Sequence, residues 1–380
     1  MSMPALPPPV LIQDPLGLRR LADLLARSPT IAMDTESNSL YAYQEKVCLI
    51  QISLPAGDFI LDSLAVSDLE SLRPVLTDPG IEKIFHAVEY DLICLRRDFG
   101  FELNNLFDTM VAARTLGWKK VGLASILEER YGVTMNKRFQ RADWGRRPLT
   151  PEQLAYARLD THFLIPLRNE LKAELLAAGR WEEAREEFER ATLAIISLSL
   201  PGATYGPQGF WRIAGARDLK PQQQAVLREL YLYRDAIARR LNRPPFKVIG
   251  DLTLLGVAQD LPSTGAKLKE LPGMTPGQLH RHQQGILSAV HKGKTASPPK
   301  LPRTDRVSDE VLARYDALHA WRKKRAAIRG VESDVILPRE VLWELARRAP
   351  RASQDLLAVP GLMPWRRETY GEEILAVLNS

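Results

Sequence analysis

The chain has 380 residues, with 52 Lys+Arg against 46 Asp+Glu and only two cysteines, Cys48 and Cys94. At about 100–200 residues per domain, that length allows two or three domains. Two scattered thiols exclude a disulfide framework and a cysteine-built zinc site, and they point to a reducing, cytoplasmic setting. The start, MSMPALPPPVLIQDP, has no basic n-region and is broken by prolines, so it is a poor secretory signal. The longest apolar run, at 191–200, falls short of the roughly 20 residues that a membrane span needs.

Charge is unevenly spread. Residues 211–380 carry 29 Lys+Arg and 18 Asp+Glu, and residues 1–210 carry 23 and 28. A basic rear half is the electrostatic footprint expected of something that holds a polyanion.

In chain order, Leu18, Leu21, Leu24 and Leu25 predict a helix over 17–27. Strands are expected at 30–36, 46–54 and 58–63, then a helix over 69–78 that Pro79-Gly80 ends. A strand at 82–88 runs into a helix carrying Asp91, and LFDTMVAARTLG (106–117) is read as helical up to Gly117. Residues 150–179 are read as one helix with Thr150 as N-cap, Pro151 at the first position and Gln153 at the third, and a second helix covers 180–197. Strands alternating with helices indicate an α/β sheet with helices packed on it. Pro- and Gly-rich linkers are expected at 199–209 and 291–304.

Around the second linker the sequence repeats. Shifting residues 230–290 by 88 places Leu230 on Leu318, Arg234 on Arg322, Val248 on Ile336, Leu254 on Leu342 and Pro272-Gly273 on Pro360-Gly361. Two copies of one small helical domain, each about 80 residues, are the simplest reading.

Four carboxylates stand out. Asp34 and Glu36 are two apart on an expected strand, hence on one face. Asp91 lies where an apolar segment becomes a helix. Tyr156 and Asp160 are four apart on the well-capped helix, hence on one face, and Asp160 sits among apolar neighbours. Clustered or buried carboxylates are costly unless a cation or a shared proton lies between them. Four such groups can hold two hard divalent ions, Mg²⁺ or Mn²⁺, an arrangement suited to phosphodiester cleavage.

The segments MDTES, HAVEYD and YARLD, with KRFQRADWGRRPLTPEQLAYARLDTHFLIPL, resemble the DEDD superfamily of 3′-5′ exonucleases and, more narrowly, the ribonuclease D family. The repeated LKELPGM and LLAVPGL units resemble the HRDC domain. The resemblance implies an α/β exonuclease domain, a ribonuclease H-like mixed sheet with helices, followed by two all-α HRDC-like domains. The corresponding boundaries are 1–200 for the exonuclease, 201–210 for a linker, 211–292 for the first helical domain, 293–302 for a second linker and 303–380 for the second helical domain. It also implies Asp34, Glu36, Asp91 and Asp160 as ligands of two divalent metal ions, with Tyr156 orienting the attacking water. Ala155 stands where a histidine subgroup would carry its catalytic histidine, and His162 lies just past the motif. Ser37 departs from the Phe common after D-T-E.

The implied activity is a 3′-5′ exoribonuclease that releases 5′-mononucleotides from structured RNA such as tRNA precursors, acting as a cytoplasmic monomer. Two alternatives are a 3′-5′ DNA exonuclease in repair and a nucleic-acid-binding scaffold with an inactive site. Lys137, Arg138, Arg141, Arg146 and Arg147 are candidates for phosphate contact. Trp144 could stack on a base or pack in the core. Arg322, Lys323, Lys324, Arg325 and Arg329 could contact RNA or form a solvated helix face.

Overall fold

The computed structural model describes residues 6–197, 206–301 and 307–379, and for 194–197 the backbone alone. The chain divides into two compact units, one of Met1–Ser37, Val47–Ser199 and Arg306–Ser380, the other of Asn38–Lys46 and Leu200–Asp305.

The first unit is built on a six-stranded sheet: β1 (Val10–Ile12), β2 (Thr30–Ser37), β3 (Val47–Leu54), β4 (Gly57–Asp62), β5 (Glu82–Phe85) and β6 (Leu106–Asp108). Their order across the sheet is β1-β4-β3-β2-β5-β6. β3 is antiparallel to β2 and β4, and the other pairs are parallel. All eight residues of β3 are buried, which is why VCLIQISL reads as a near-continuous apolar run. The helices are α1 (Pro15–Leu25), α2 (Arg73–Thr77), α3 (Glu89–Phe99), α4 (Thr109–Leu116), α5 (Leu123–Tyr131), α6 (Pro151–His162), α7 (Leu164–Ala177) and α8 (Trp181–Ser197).

Two expectations are corrected, and one strand was not anticipated. Leu106–Asp108 is a strand, because Asp108 caps α4 by accepting from the amides of Met110 and Val111. Residues 150–179 form two helices parted at Phe163, since Pro166 has no amide to continue the α6 ladder but fits the first turn of α7. β1 follows a proline run and is too short to show a period. By contrast, Thr150 and Gln153 make the expected reciprocal cap at α6, with Pro151 leading the helix.

The second unit is a helical bundle of α9 (Pro221–Leu241), α10 (Pro245–Val248), α11 (Asp251–Asp260), α12 (Gly265–Lys269) and α13 (Pro276–Thr295). It also holds the segment 38–46. Tyr43 is in the bundle's core cluster, its hydroxyl donates to Asp235 at 2.6 Å, and its amide donates to Asn242 at 3.2 Å.

In the first unit, α14 (Asp309–Arg329), α15 (Ser333–Ile336), α16 (Arg339–Arg348) and α17 (Pro364–Asn379) form the second bundle. The starts of these four helices lie 88 residues after those of α9, α10, α11 and α13. The match reaches side chains. Arg234 donates to the Ile249 carbonyl at 2.9 Å and Arg322 to the Leu337 carbonyl at 2.8 Å. Leu261 and Ala349 both close a helix in the left-handed region, at φ 50° and 46°.

The second bundle is seated on α8 by ion pairs. Arg366 meets Glu186 at 2.8 Å, and Arg329 meets Glu183 at 2.6 Å. Part of the acidic-front, basic-rear asymmetry is therefore internal complementarity.

The first expected linker falls mostly on residues outside those described; in the second, α13 continues to Thr295 and residues 302–306 lie outside. Cys48 and Cys94 are both buried and form no disulfide. Among the described residues no helix is long and apolar enough to cross a membrane.

Candidate active site

Strand alternation divides the residues of β2 and β3 between two faces of the sheet. Met33, Thr35, Ile50 and Ile52 take one face; Asp34, Glu36, Leu49, Gln51 and Ser53 take the other, as the pairs Asp34↔Gln51 and Glu36↔Leu49 show. Helix α6 packs against β2 and β3 and is pinned by a 2.7 Å hydrogen bond between the hydroxyls of Ser53 and Thr161. Tyr156 and Asp160 lie one turn apart on that helix.

Asp91 is in the first turn of α3. One of its carboxylate oxygens accepts from the Thr35 amide at 3.1 Å and from the Thr35 hydroxyl at 2.5 Å. The turn into α3 passes through Ala87 at φ 63°, an uncommon conformation for a residue with a side chain. Buried Asp108 holds it by accepting from the amides of Ala87 at 3.1 Å and Val88 at 2.8 Å.

The four carboxylates act on one another. Burial, with added repulsion from Asp160 and Asp91, pushes Glu36 up to about 9. Burial and Asp91 push Asp160 up to about 8. Asp91 is raised to about 7 by burial, against the lowering effect of the Thr35 hydrogen bonds. Asp34 is raised well above the carboxylate range by burial and by Asp91, Asp160 and Glu36. The Tyr156 hydroxyl is raised above the ordinary phenol range by burial and by the same acids, which suits a hydrogen-bond donor and not a base. Among the described residues no three His, Cys, Asp or Glu side chains stand as a ready-made ligand cage. The donor set itself, four hard carboxylates with repulsion unrelieved by any cationic side chain among the causes of their shifts, is what an oxygen-seeking divalent cation takes.

The other candidates divide among buried, half-buried and exposed positions. Trp144 is 1% exposed and lies against Tyr156, ring centroids 6.2 Å apart, so it packs in the core and offers no face to a base. Phe139 flanks the same tyrosine at 5.5 Å. Arg147 is bound to buried Asp62 at 2.6 Å. Arg322 is buried in the role of its repeat partner Arg234, Arg325 pairs with Glu373, and Arg329 with Glu183. Lys137, Arg138, Arg141, Arg146, Lys323 and Lys324 are exposed. His162 binds Asp58 at 2.8 Å. Thr35, Asp108 and Phe139 were not singled out by the sequence reading. Only the D-T-E spacing hinted at the first, since its side chain must point away from the two acids.

A sheet of this order with acids on its central strand and on two helices defines a class, the 3′-5′ exonucleases, and residues 9–176 match the family described as 3'-5' exonuclease. Residues 223–290 and 311–378 each match the HRDC domain. The chain is 31% identical to the ribonuclease D of Gluconacetobacter diazotrophicus over 99% of this chain and 94% of that one. It is 32% identical to the exosome complex exonuclease RRP6 of Saccharomyces cerevisiae over 67% of this chain, spanning 36% of that protein. The crystal structure of Escherichia coli RNase D, described as an exoribonuclease involved in structured RNA processing, superposes with a TM-score of 0.69 at 26% identity over 98% of both chains. The chain belongs to the ribonuclease D family.

Proposed function

We propose that this chain, a 3′-5′ exoribonuclease of the ribonuclease D type, shortens structured RNA such as tRNA precursors from the 3′ end with the help of two divalent metal ions. The carrying observation is that four buried carboxylates are gathered at one site, each raised by burial, and that Asp34, Glu36 and Asp160 are raised further by neighbouring acids of the set, a cost that a divalent cation relieves. Asp34, Glu36, Asp91 and Asp160 would hold Mg²⁺ or Mn²⁺. The bound ions supply an activated water and stabilise the leaving oxygen.

The chain's own residues do the rest. Thr35 keeps Asp91 turned toward β2, and the cap at Thr150 fixes the start of the helix that carries Tyr156 and Asp160. Tyr156, held by Trp144 and Phe139, keeps its proton and orients the attacking water by donating to it or to the scissile phosphate. The exposed cations Lys137, Arg138, Arg141, Arg146, Lys323 and Lys324 are the remaining candidates for phosphate contact. We read the chain as a cytoplasmic monomer with modules at 1–200, 211–292 and 303–380.

The test uses purified protein and a tRNA bearing a short 3′ extension, with a DNA of the same sequence alongside. Stepwise release of 5′-mononucleotides from the RNA, requiring Mg²⁺ or Mn²⁺ and absent in Asp160→Asn, is the expected result. Faster shortening of the DNA would favour a repair exonuclease. Tight RNA binding without any shortening would favour a scaffold.

A further inference from the structure

Gln51 sits in the middle of β3, 0% exposed, and neither its side-chain nitrogen nor its side-chain oxygen has a hydrogen-bond partner. A buried amide left unsatisfied on both ends is a standing cost that a strand position normally avoids. A leucine there would continue the apolar run on either side, so packing alone does not call for glutamine.

Its neighbours narrow the purpose. Gln51 pairs directly with Asp34 on β2 and with Ile60 on β4. Directly opposed residues share a face with Cβ atoms about 4.5–5.5 Å apart. The next residue of β3 on that face, Ser53, is bonded to Thr161 of α6, so the amide lies under the helix that carries Tyr156 and Asp160. Of the groups that the sheet register sets beside it, Asp34 is the hydrogen-bonding one; Ile60 offers nothing.

We propose that Gln51 is a positioning residue of the carboxylate site, its side-chain N–H donating to the Asp34 carboxylate when that carboxylate is ionised and turned to a divalent cation. The proposal rests on the metal-dependent reading above. A donor behind a ligating carboxylate fixes which oxygen faces the ion and strengthens its charge toward it, and loss of such a partner typically weakens metal binding about 10–100-fold. A bond to Asp34 would also satisfy the buried side-chain nitrogen of Gln51.

The test compares wild type with Gln51→Met, which keeps length without a donor, and Gln51→Leu as a second apolar variant. Metal-free melting temperature, Mn²⁺ affinity by titration calorimetry without RNA, and kcat and KM on 3′-extended RNA are measured for each. The expected pattern is an unchanged or higher melting temperature, Mn²⁺ binding weakened about 10–100-fold, and a lower kcat with KM for RNA within twofold. Mn²⁺ affinity within twofold of wild type in a folded variant would overturn the proposal and leave the nuclease reading standing. If wild type binds no divalent ion, the metal-dependent reading fails first and this proposal with it.

Discussion

Arg366 and Glu186 meet at 2.8 Å with side chains only 2% and 5% exposed. The same arginine donates to the carbonyls of Ile336 and Val335, and Glu186 also accepts from the amides of Trp365 and Arg366. Neutralising Glu186 takes one charged acceptor from the buried arginine, which keeps Glu187 at 3.1 Å. Glu186→Gln is therefore expected to destabilise the first unit by about 1–3 kcal/mol. Asp334→Asn, which breaks the exposed pair with Arg114, should cost about 1 kcal/mol or less. Denaturant unfolding of the two variants checks the contrast.

The four carboxylates set the pH dependence of stability. Unfolded, they titrate near 4; folded and without metal, Asp91, Asp160 and Glu36 titrate at about 7, 8 and 9. Between those limits the folded chain holds more protons than the unfolded one, so their contribution is full below pH 4 and is lost as pH rises toward 9. Thermal melts of the metal-free protein should fall across that window, and Asp160→Asn should flatten the fall. Mg²⁺ should restore more stability at pH 8 than at pH 6, because ligand protons must leave for metal to bind.

If the four carboxylates hold the metal ions, loss of one should remove several kcal/mol of transition-state stabilisation, or roughly a thousandfold in rate. Asp34→Asn and Asp91→Asn are expected to show this in single-turnover assays while binding RNA as wild type does. An active Asp34→Asn would refute the ligand assignment.

Trp144 backs Tyr156 at a ring distance of 6.2 Å. Trp144→Phe should lower kcat about 10–100-fold by loosening the tyrosine and leave RNA affinity within twofold. A raised Kd with kcat unchanged would instead return the indole to a stacking role.

Lys323 and Lys324 are exposed, whereas neighbouring Arg322 is buried. If the two lysines touch phosphates, replacing both with alanine weakens RNA binding uniformly across sequences and reduces the salt slope by about 1 per contact. Arg322→Met should leave that slope alone and lower the melting temperature, since it orphans the Leu337 carbonyl.

What the sequence made legible was periodic or spaced. The 88-residue shift finds corresponding helices because their buried positions repeat, and the cap at Thr150 reads from three residues. The acids of the site were visible because carboxylates beside apolar runs stand out. Thr35 and Asp108 were hidden, since each acts on a partner 20 or more residues away and no local pattern reports that. The arginines are illegible for a related reason. Sequence shows a cation in Arg322 and Arg329, but only packing shows that one is taken by the Leu337 carbonyl and the other by Glu183 inside the protein.

The segment Asn38–Lys46 runs from the end of the strand bearing Asp34 and Glu36, yet Tyr43 belongs to the core of the bundle of α9 to α13. The boundary between the modules is thus not a single cut in the chain. Truncation at residue 200 would leave behind a tyrosine stripped of Asp235 and Asn242, close after the strand that bears Asp34 and Glu36. A cleaner dissection would shorten the 38–46 loop in the same step, and a gene that exchanged this helical module for another would have to exchange the loop with it.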